Sequence, residues 1–395
     1  MTEKMNLIRK TVSCIILAVI CITCASGFAD QHMEIQCRFS DTLGSKELLL
    51  DLYEQGTEIT AVSTLFQDTA AVFSKDGSGL QISMDDMFRL FPERDIAEPY
   101  RKAEQEINSW LELQKYEVSK GRFSGELLQS AEIMESCSFG ISDFSEYLNS
   151  TKEKEKTDNP FIYQLMKMLL QYYCSDKNEN EPEPAIQVRK YEDGLYYTFI
   201  LTEGEYTVLT FSVDRTTDKQ RHIIAGYKSE GRYYYRDYLI TFRENQIQIK
   251  YDLYGGTDSY RNMIKKSRPV FVETITVNRE NEHKICWNAT VESARLTDSL
   301  YAEGRLEAVM PGCYESESNL RLQNHPDLNI AITANIEPLG RPVHFTDKAE
   351  KHFSEKSERE EIETAAFSGI VQLAAEMIPM MPTDFQNLII YFLLK

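Results

Sequence analysis

Gln246-Ile247-Gln248-Ile249-Lys250-Tyr251-Asp252-Leu253 alternates polar and apolar residues without a break. Successive side chains of a β-strand point to opposite faces, so this octet reads as a strand with one dry and one wet side. The same period appears in Ile285, Trp287, Ala289 and Val291 against Lys284, Asn288 and Glu292. It returns in Leu328, Ile330, Ile332, Ala334 and Ile336 against Asn329, Thr333 and Asn335. Short polar connections separate such segments: Glu203-Gly204-Glu205, Glu230-Gly231, Glu244-Asn245 and Arg279 to Glu282. Alternation joined by hairpin turns describes an antiparallel sheet, because buried parallel strands give near-continuous apolar runs linked by long crossovers. The stretch from Leu195 to Ile336 is therefore expected to be a large antiparallel meander, a curved sheet or half-barrel.

The rest of the chain is expected to cover that sheet. Ser45 to Gly56 carries Leu48, Leu49, Leu50, Leu52 and Tyr53 between a capping serine and a terminating glycine, which predicts a helix. Glu58 to Leu65 and Thr69 to Ser74 predict a small hairpin. Asp95 to Lys120 predicts the longest helix, with Tyr100, Ala103, Ile107, Trp110, Leu111 and Tyr116 on one side, and makes Trp110 a core anchor. A further helix is expected from Ser124 through Leu127, Leu128, Ala131 and Met134, a short one from Ser142, and another from the strong start Asn159-Pro160. Asp347 to Glu361 reads as a solvated helix. Residues 362–394, punctuated by Pro379 and Pro382, read as a helical hairpin too short in either half to span a bilayer. The fold class expected is thus α+β: a mainly helical region over 30–177 with a small β hairpin, a polar linker over 178–185, the antiparallel sheet over 186–345, and C-terminal helices over 346–395.

Residues 1–29 read as a secretory signal peptide. Lys4, Arg9 and Lys10 precede an apolar run from Val12 to Ile22, and Gly27 and Ala29 suit a cleavage pocket. The expected location is extracytoplasmic, secreted or in the cell envelope. Cys21-Ile22-Thr23-Cys24 lies inside this leader and carries no redox or metal reading. The remaining Cys37, Cys137, Cys174, Cys286 and Cys313 form no disulfide framework and no zinc spacing. The net charge is −19, and loss of the leader makes it more negative. Nucleic acid and anionic lipid surfaces are therefore poor partners.

Catalytic constellations are not found. There is no nucleophile elbow, zinc-protease helix, phosphate loop or calcium loop, and Asp76-Gly77-Ser78-Gly79 lacks the lysine of a nucleotide loop. His344 and His352, flanking Asp347 and Glu350, read as histidines of a charged surface segment rather than a metal site. No catalytic residue, metal ligand or cofactor is nominated, and the chain is expected not to be an enzyme. The residues nominated for binding are Tyr197, Phe199, Tyr234, Tyr238, Ile249, Tyr251, Trp287 and Ile332, taken from the apolar sheet face and the tyrosine-rich strand Arg232 to Tyr238.

This order of leader, helices and long meander resembles the LolA and LppX-like lipoprotein-fold carriers at the level of architecture, over about half the chain. The resemblance implies a half-barrel that closes over helices and holds acyl chains. The expected function is an exported, non-enzymatic binding protein holding an apolar or acyl ligand or lipid between sheet and helices. The alternative is a structural or adaptor protein of the envelope, with a fully packed sheet and a protein partner at a sheet edge.

Overall fold

The computed structural model describes residues 30–63 except 43 and 57, 69–74, 88–140 except 129, and 142–143 and 146–147. It continues with 185–341 except 204–205, 230 and 294–297, then 343 and 349–353. Expectations for the leader, the Asp76–Gly79 loop, the helix after Pro160, residues 178–184, His344 and the helices over 362–394 lie outside the described residues.

Among the described residues the chain forms eighteen strands. In order they are β1 (Gln31–Asp41), β2 (Gly44–Gln55), β3 (Glu58–Ser63), β4 (Thr69–Ser74), β5 (Glu117–Phe123) and β6 (Ala131–Gly140). Then come β7 (Ala185–Tyr191), β8 (Tyr196–Glu203), β9 (Tyr206–Asp214), β10 (Gln220–Ser229), β11 (Arg232–Arg243) and β12 (Gln246–Gly256). The last are β13 (Phe271–Asn281), β14 (Lys284–Ser293), β15 (Leu300–Met310), β16 (Cys313–Leu322), β17 (Asn329–Pro338) and β18 (Ala349–Phe353). Helix α1 covers Glu98–Glu112 and α2 covers Tyr260–Lys266.

The α+β expectation is corrected to a nearly all-strand, antiparallel architecture. Ser45 to Gly56 is not a helix but β2. Leu48, Leu50 and Leu52 recur at every second residue, and each finds a partner on β1: Cys37, Ile35 and Met33. Gly56, at φ +57°, serves the turn into β3 instead of ending a helix. The long helix stops at Glu112, and Glu117–Phe123 pairs as β5 with β6, which occupies the segment expected to be helical at Ala131 and Met134. In the charged segment after Asp347, Ala349–Phe353 is strand β18. Each of these segments has apolar residues compatible with both periods, and a waiting strand edge decided in favour of extension.

The structure divides into two compact units. In the first, the ladder runs β18-β4-β3-β2-β1-β17-β16-β15, antiparallel except for the parallel pair β18 and β4. One face gathers Met33, Leu52, Leu306, Tyr314, Ala334 and Ile336, all buried except the half-buried Leu52. The other face carries the ion pairs Arg38–Glu47, Arg305–Glu317 and Arg321–Glu303, and His32 with Asp51 at 3.1 Å.

In the second unit, β5 to β13 pair in sequence order. The apolar face runs through Val188, Phe199, Phe211, Ile223, Tyr238, Tyr251 and Ile275, and the opposite face through Thr198, Ser212, Asp237, Lys250 and Thr274. Helix α1 lies on the apolar face. Its Trp110 and Leu111 pack with Cys137 and Val188, the Trp110 ring meeting Phe139 edge-on at 4.4 Å. Further along, Tyr100 meets Phe242 at 5.7 Å, and burial pushes its phenol up to about 12. Arg221 of β10 grips Glu104 of α1 through two bonds of 2.6 and 2.8 Å.

Candidate functional site on the polar face of the second unit

The polar face of β9, β10 and β11 holds a depression. Register places Thr210 opposite Gly226, Ser212 opposite Ile224, Gly226 opposite Tyr235 and Lys228 opposite Tyr233, so all seven residues share one face. Together with Glu126, Thr207 and Tyr227 they line a cavity of about 230 Å³. Gly226 is required here by close approach. A Cβ at that position would lie 2.9 Å from the Tyr235 ring, which therefore covers bare backbone. Glu126 arrives from the turn after β5, which Arg261 of α2 holds by donating to the carbonyls of Glu126 and Leu128. The Ser212 hydroxyl then reaches the Glu126 carboxylate at 3.4 Å and Thr198 at the same distance.

Helix α2 packs against Tyr235 and Ile224 of the cavity lining. Tyr260 lies 5.5 Å from the Tyr235 ring and 6.0 Å from Tyr254, and Met263 fills the same cluster with Ile224. The Tyr260 hydroxyl donates to Asp237 Oδ2, while His222 Nε2 lies 2.7 Å from Asp237 Oδ1. Both carboxylate oxygens are thus engaged in tying α2 to β10 and β11, so Asp237 acts as a clasp. Burial first, then the hydrogen bond to Asp237 and the charge of that carboxylate, push the Tyr260 phenol well above the ordinary tyrosine range.

The residues nominated from sequence fall elsewhere. Tyr197, Phe199, Tyr234, Tyr238, Ile249 and Tyr251 share the apolar face of the second unit. There Tyr197 and Phe199 stack at 5.9 Å, Tyr238 and Tyr251 at 4.9 Å, and Tyr227 and Tyr234 at 5.2 Å. Arg236 adds its guanidinium 5.9 Å from the Tyr227 ring. Trp287 lies on β14, and Ile332 belongs to β17 of the first unit, opposite Cys37. Sequence reasoning missed Glu126, Thr210, Ser212 and Lys228. The alternation Leu209, Phe211, Val213 against Thr210, Ser212, Asp214 carried the signal for two of them. Nothing in the sequence placed Glu126 beside β9.

The expected carrier of an apolar ligand or lipid is corrected with the fold. It required N-terminal helices as a lid, and those segments are strands β2, β5 and β6, while α1 fills its part of the apolar face with its own side chains. The adaptor alternative, with its envelope-protein partner, rested on the same α+β premise and is withdrawn with it.

No protein-family model and no curated protein matches the sequence. Among solved structures the chain is similar to the Acinetobacter baumannii outer membrane protein Omp33, at 6% identity and TM-score 0.26 over 80% of this chain and 100% of that one. It is similar to Pseudomonas aeruginosa OpdQ, at 8% identity and TM-score 0.28 over 79% and 97%. A BenF-like porin from Pseudomonas fluorescens Pf-5 gives 8% identity and TM-score 0.24 over 79% and 98%.

Proposed function

We propose that the chain works without catalysis in an extracytoplasmic membrane of the cell envelope and lets small polar solutes pass along the water-facing side of its strands. The observation that carries this reading is the strand pattern itself. Antiparallel strands β10 to β13 and β15 to β17 are 10 to 12 residues long, and about 9–11 residues suffice for a tilted strand to cross a bilayer. In β15 to β17 one face carries Glu303, Arg305, Glu317 and Arg321 and the other Leu306, Tyr314, Ala334 and Ile336, whereas in the second unit α1 covers part of the apolar face. A path for polar solutes needs that division, because charges cannot face acyl chains cheaply. Among the described residues no helix is long and apolar enough to cross a membrane. The leader read at residues 1–29 supports an envelope location, and the expectation of free secretion is corrected to it.

The test is reconstitution of the mature chain into liposomes, followed by swelling in isotonic solutions of neutral solutes of rising size. Swelling that slows as the solute grows, with the protein retained in the membrane after an alkaline carbonate wash, is the expected result. A chain that stays in solution without detergent and leaves the liposomes tight overturns the proposal.

A further inference from the structure

The geometry points to the cavity on β9–β11 as a binding subsite for a neutral polyhydroxylated ring the size of a monosaccharide. This rests on the reading that polar solutes meet the water-facing side of the strands, and it names one class of them. The cavity, about 230 Å³, lies below the about 300–1,000 Å³ of sites for drug-sized ligands, so its occupant is a small solute. Its groups are those a sugar uses. Thr210 offers a hydroxyl that donates one and accepts two hydrogen bonds, Ser212, whose proton goes to Glu126 at 3.4 Å, keeps acceptor capacity, and the Glu126 carboxylate has further lone pairs for vicinal hydroxyls. Tyr233, half-buried and stacked 6.2 Å from the buried Tyr235, presents aromatic surface to the C–H face of a ring. The Lys228 ammonium sits 5.4 Å from the Tyr233 ring centroid, so its charge is directed at that ring. Glu126, 3.4 Å from the Ser212 hydroxyl, sets a negative charge beside it, an arrangement that favours a neutral hydrogen-bond donor over an anion.

The parts are also held in advance. Ser212 is 3% exposed and Tyr235 6%, and Arg261 fixes the turn that carries Glu126 through the backbone on both sides of Leu127. A site whose donors and acceptors are set by strand register spends little entropy on ordering when a ligand arrives.

The experiment is saturation-transfer NMR and calorimetric titration of the full mature chain with glucose, galactose and arabinose. The probes for rival classes are glycine and acetate. Millimolar binding of at least one sugar is expected, weakened about tenfold in Glu126→Gln and about three- to tenfold in Ser212→Ala, and lost in Thr210→Phe, which fills the space. Ser212→Ala removes one oxygen and is the variant least disruptive to the fold. Near-ultraviolet circular dichroism checks that each variant keeps its tyrosine packing. No transfer to any sugar, sugar binding equal in all three variants, or binding of glycine or acetate alone overturns the assignment. Sugar binding with tight liposomes sinks the passage reading and leaves the site standing. Leaky liposomes without sugar binding do the reverse.

Discussion

Helix α1 is pinned to the second unit by Arg221, and breaking that grip should loosen the helix by a measurable amount. The Arg221 guanidinium gives Nε and Nη2 to the two oxygens of Glu104 at 2.6 and 2.8 Å, and Nη1 to the carbonyls of Thr217 and Gln220 at 2.5 and 2.8 Å. The side chains are 9% and 29% exposed. A hydrogen bond to a charged group contributes roughly 1.5–3 kcal/mol, and stripping one partner from a fully buried pair costs about 3–5 kcal/mol. The partial exposure of Glu104 lowers both figures. We therefore expect about 2–3 kcal/mol lost in Arg221→Met and about 2 kcal/mol in Glu104→Gln. The double variant should lose only about 3 kcal/mol, a coupling of about 1.5 kcal/mol in a double-mutant cycle. Urea unfolding reads this through Trp110, which sits on α1 against Phe139, in a Trp287→Phe background. At a slope of about 2 kcal/mol per molar, each single variant lowers the midpoint by about 1 M. Losses that simply add, with a coupling under about 0.5 kcal/mol, would refute the view that this ion pair holds the helix.

Three other outcomes follow from particular contacts. Gly226→Ala puts a methyl 2.9 Å from the Tyr235 ring and should cost about 1–3 kcal/mol in thermal unfolding, whereas a cost near zero would show that the ring does not rest on that backbone. The raised Tyr260 phenol keeps its proton in the folded chain above pH about 10, where an unfolded tyrosine ionises. Its stabilising contribution is full below that pH and is lost as pH climbs toward the folded value, so Tyr260→Phe should flatten the alkaline loss of stability measured by urea midpoints from pH 9 to 12. On the wet face of the first unit, Glu34, Glu47, Glu303, Glu315 and Glu317 outnumber Arg38, Arg305 and Arg321. If solutes pass along it, planar bilayers under a potassium chloride gradient should show a reversal potential of the sign for cations, reduced by Glu34→Gln with Glu315→Gln; an anion-selective sign contradicts this.

The sheet of the second half was legible because β12, β14 and β17 alternate strictly and their turns carry Gly, Asn or paired charges, as at Gly231 with φ +77°. The first half was not. Leu48-Leu49-Leu50 satisfies a helical stripe as well as a strand face, and only the distant β1 and β3 edges decide between them. Val118 and Ile133 are exposed apolar residues on short, charge-rich segments, where intrinsic propensity is nearly neutral and pairing of β5 with β6 supplies the bias. The tyrosines of β11 divide between the two faces of the sheet. Tyr234 and Tyr238 join the dry side, while Tyr233 and Tyr235 border the cavity. That cavity also needs Glu126, which is 86 residues from Ser212, a separation that local patterning does not encode.

The pairing of β1 with both β2 and β17 sets an order of assembly. Gln31 meets Pro338 across nearly the whole chain, and β4 must wait for Ala349–Phe353 to supply its parallel neighbour. Closing so long a loop costs little at equilibrium, since each doubling adds about 0.6 kcal/mol, but contacts this remote are slow to form. As the polypeptide emerges from export, the β5–β13 unit can complete itself while β1 still offers one naked edge. That edge is a template for the wrong partner until the last hundred residues arrive, so truncation behind β16 should yield aggregates rather than a smaller folded protein.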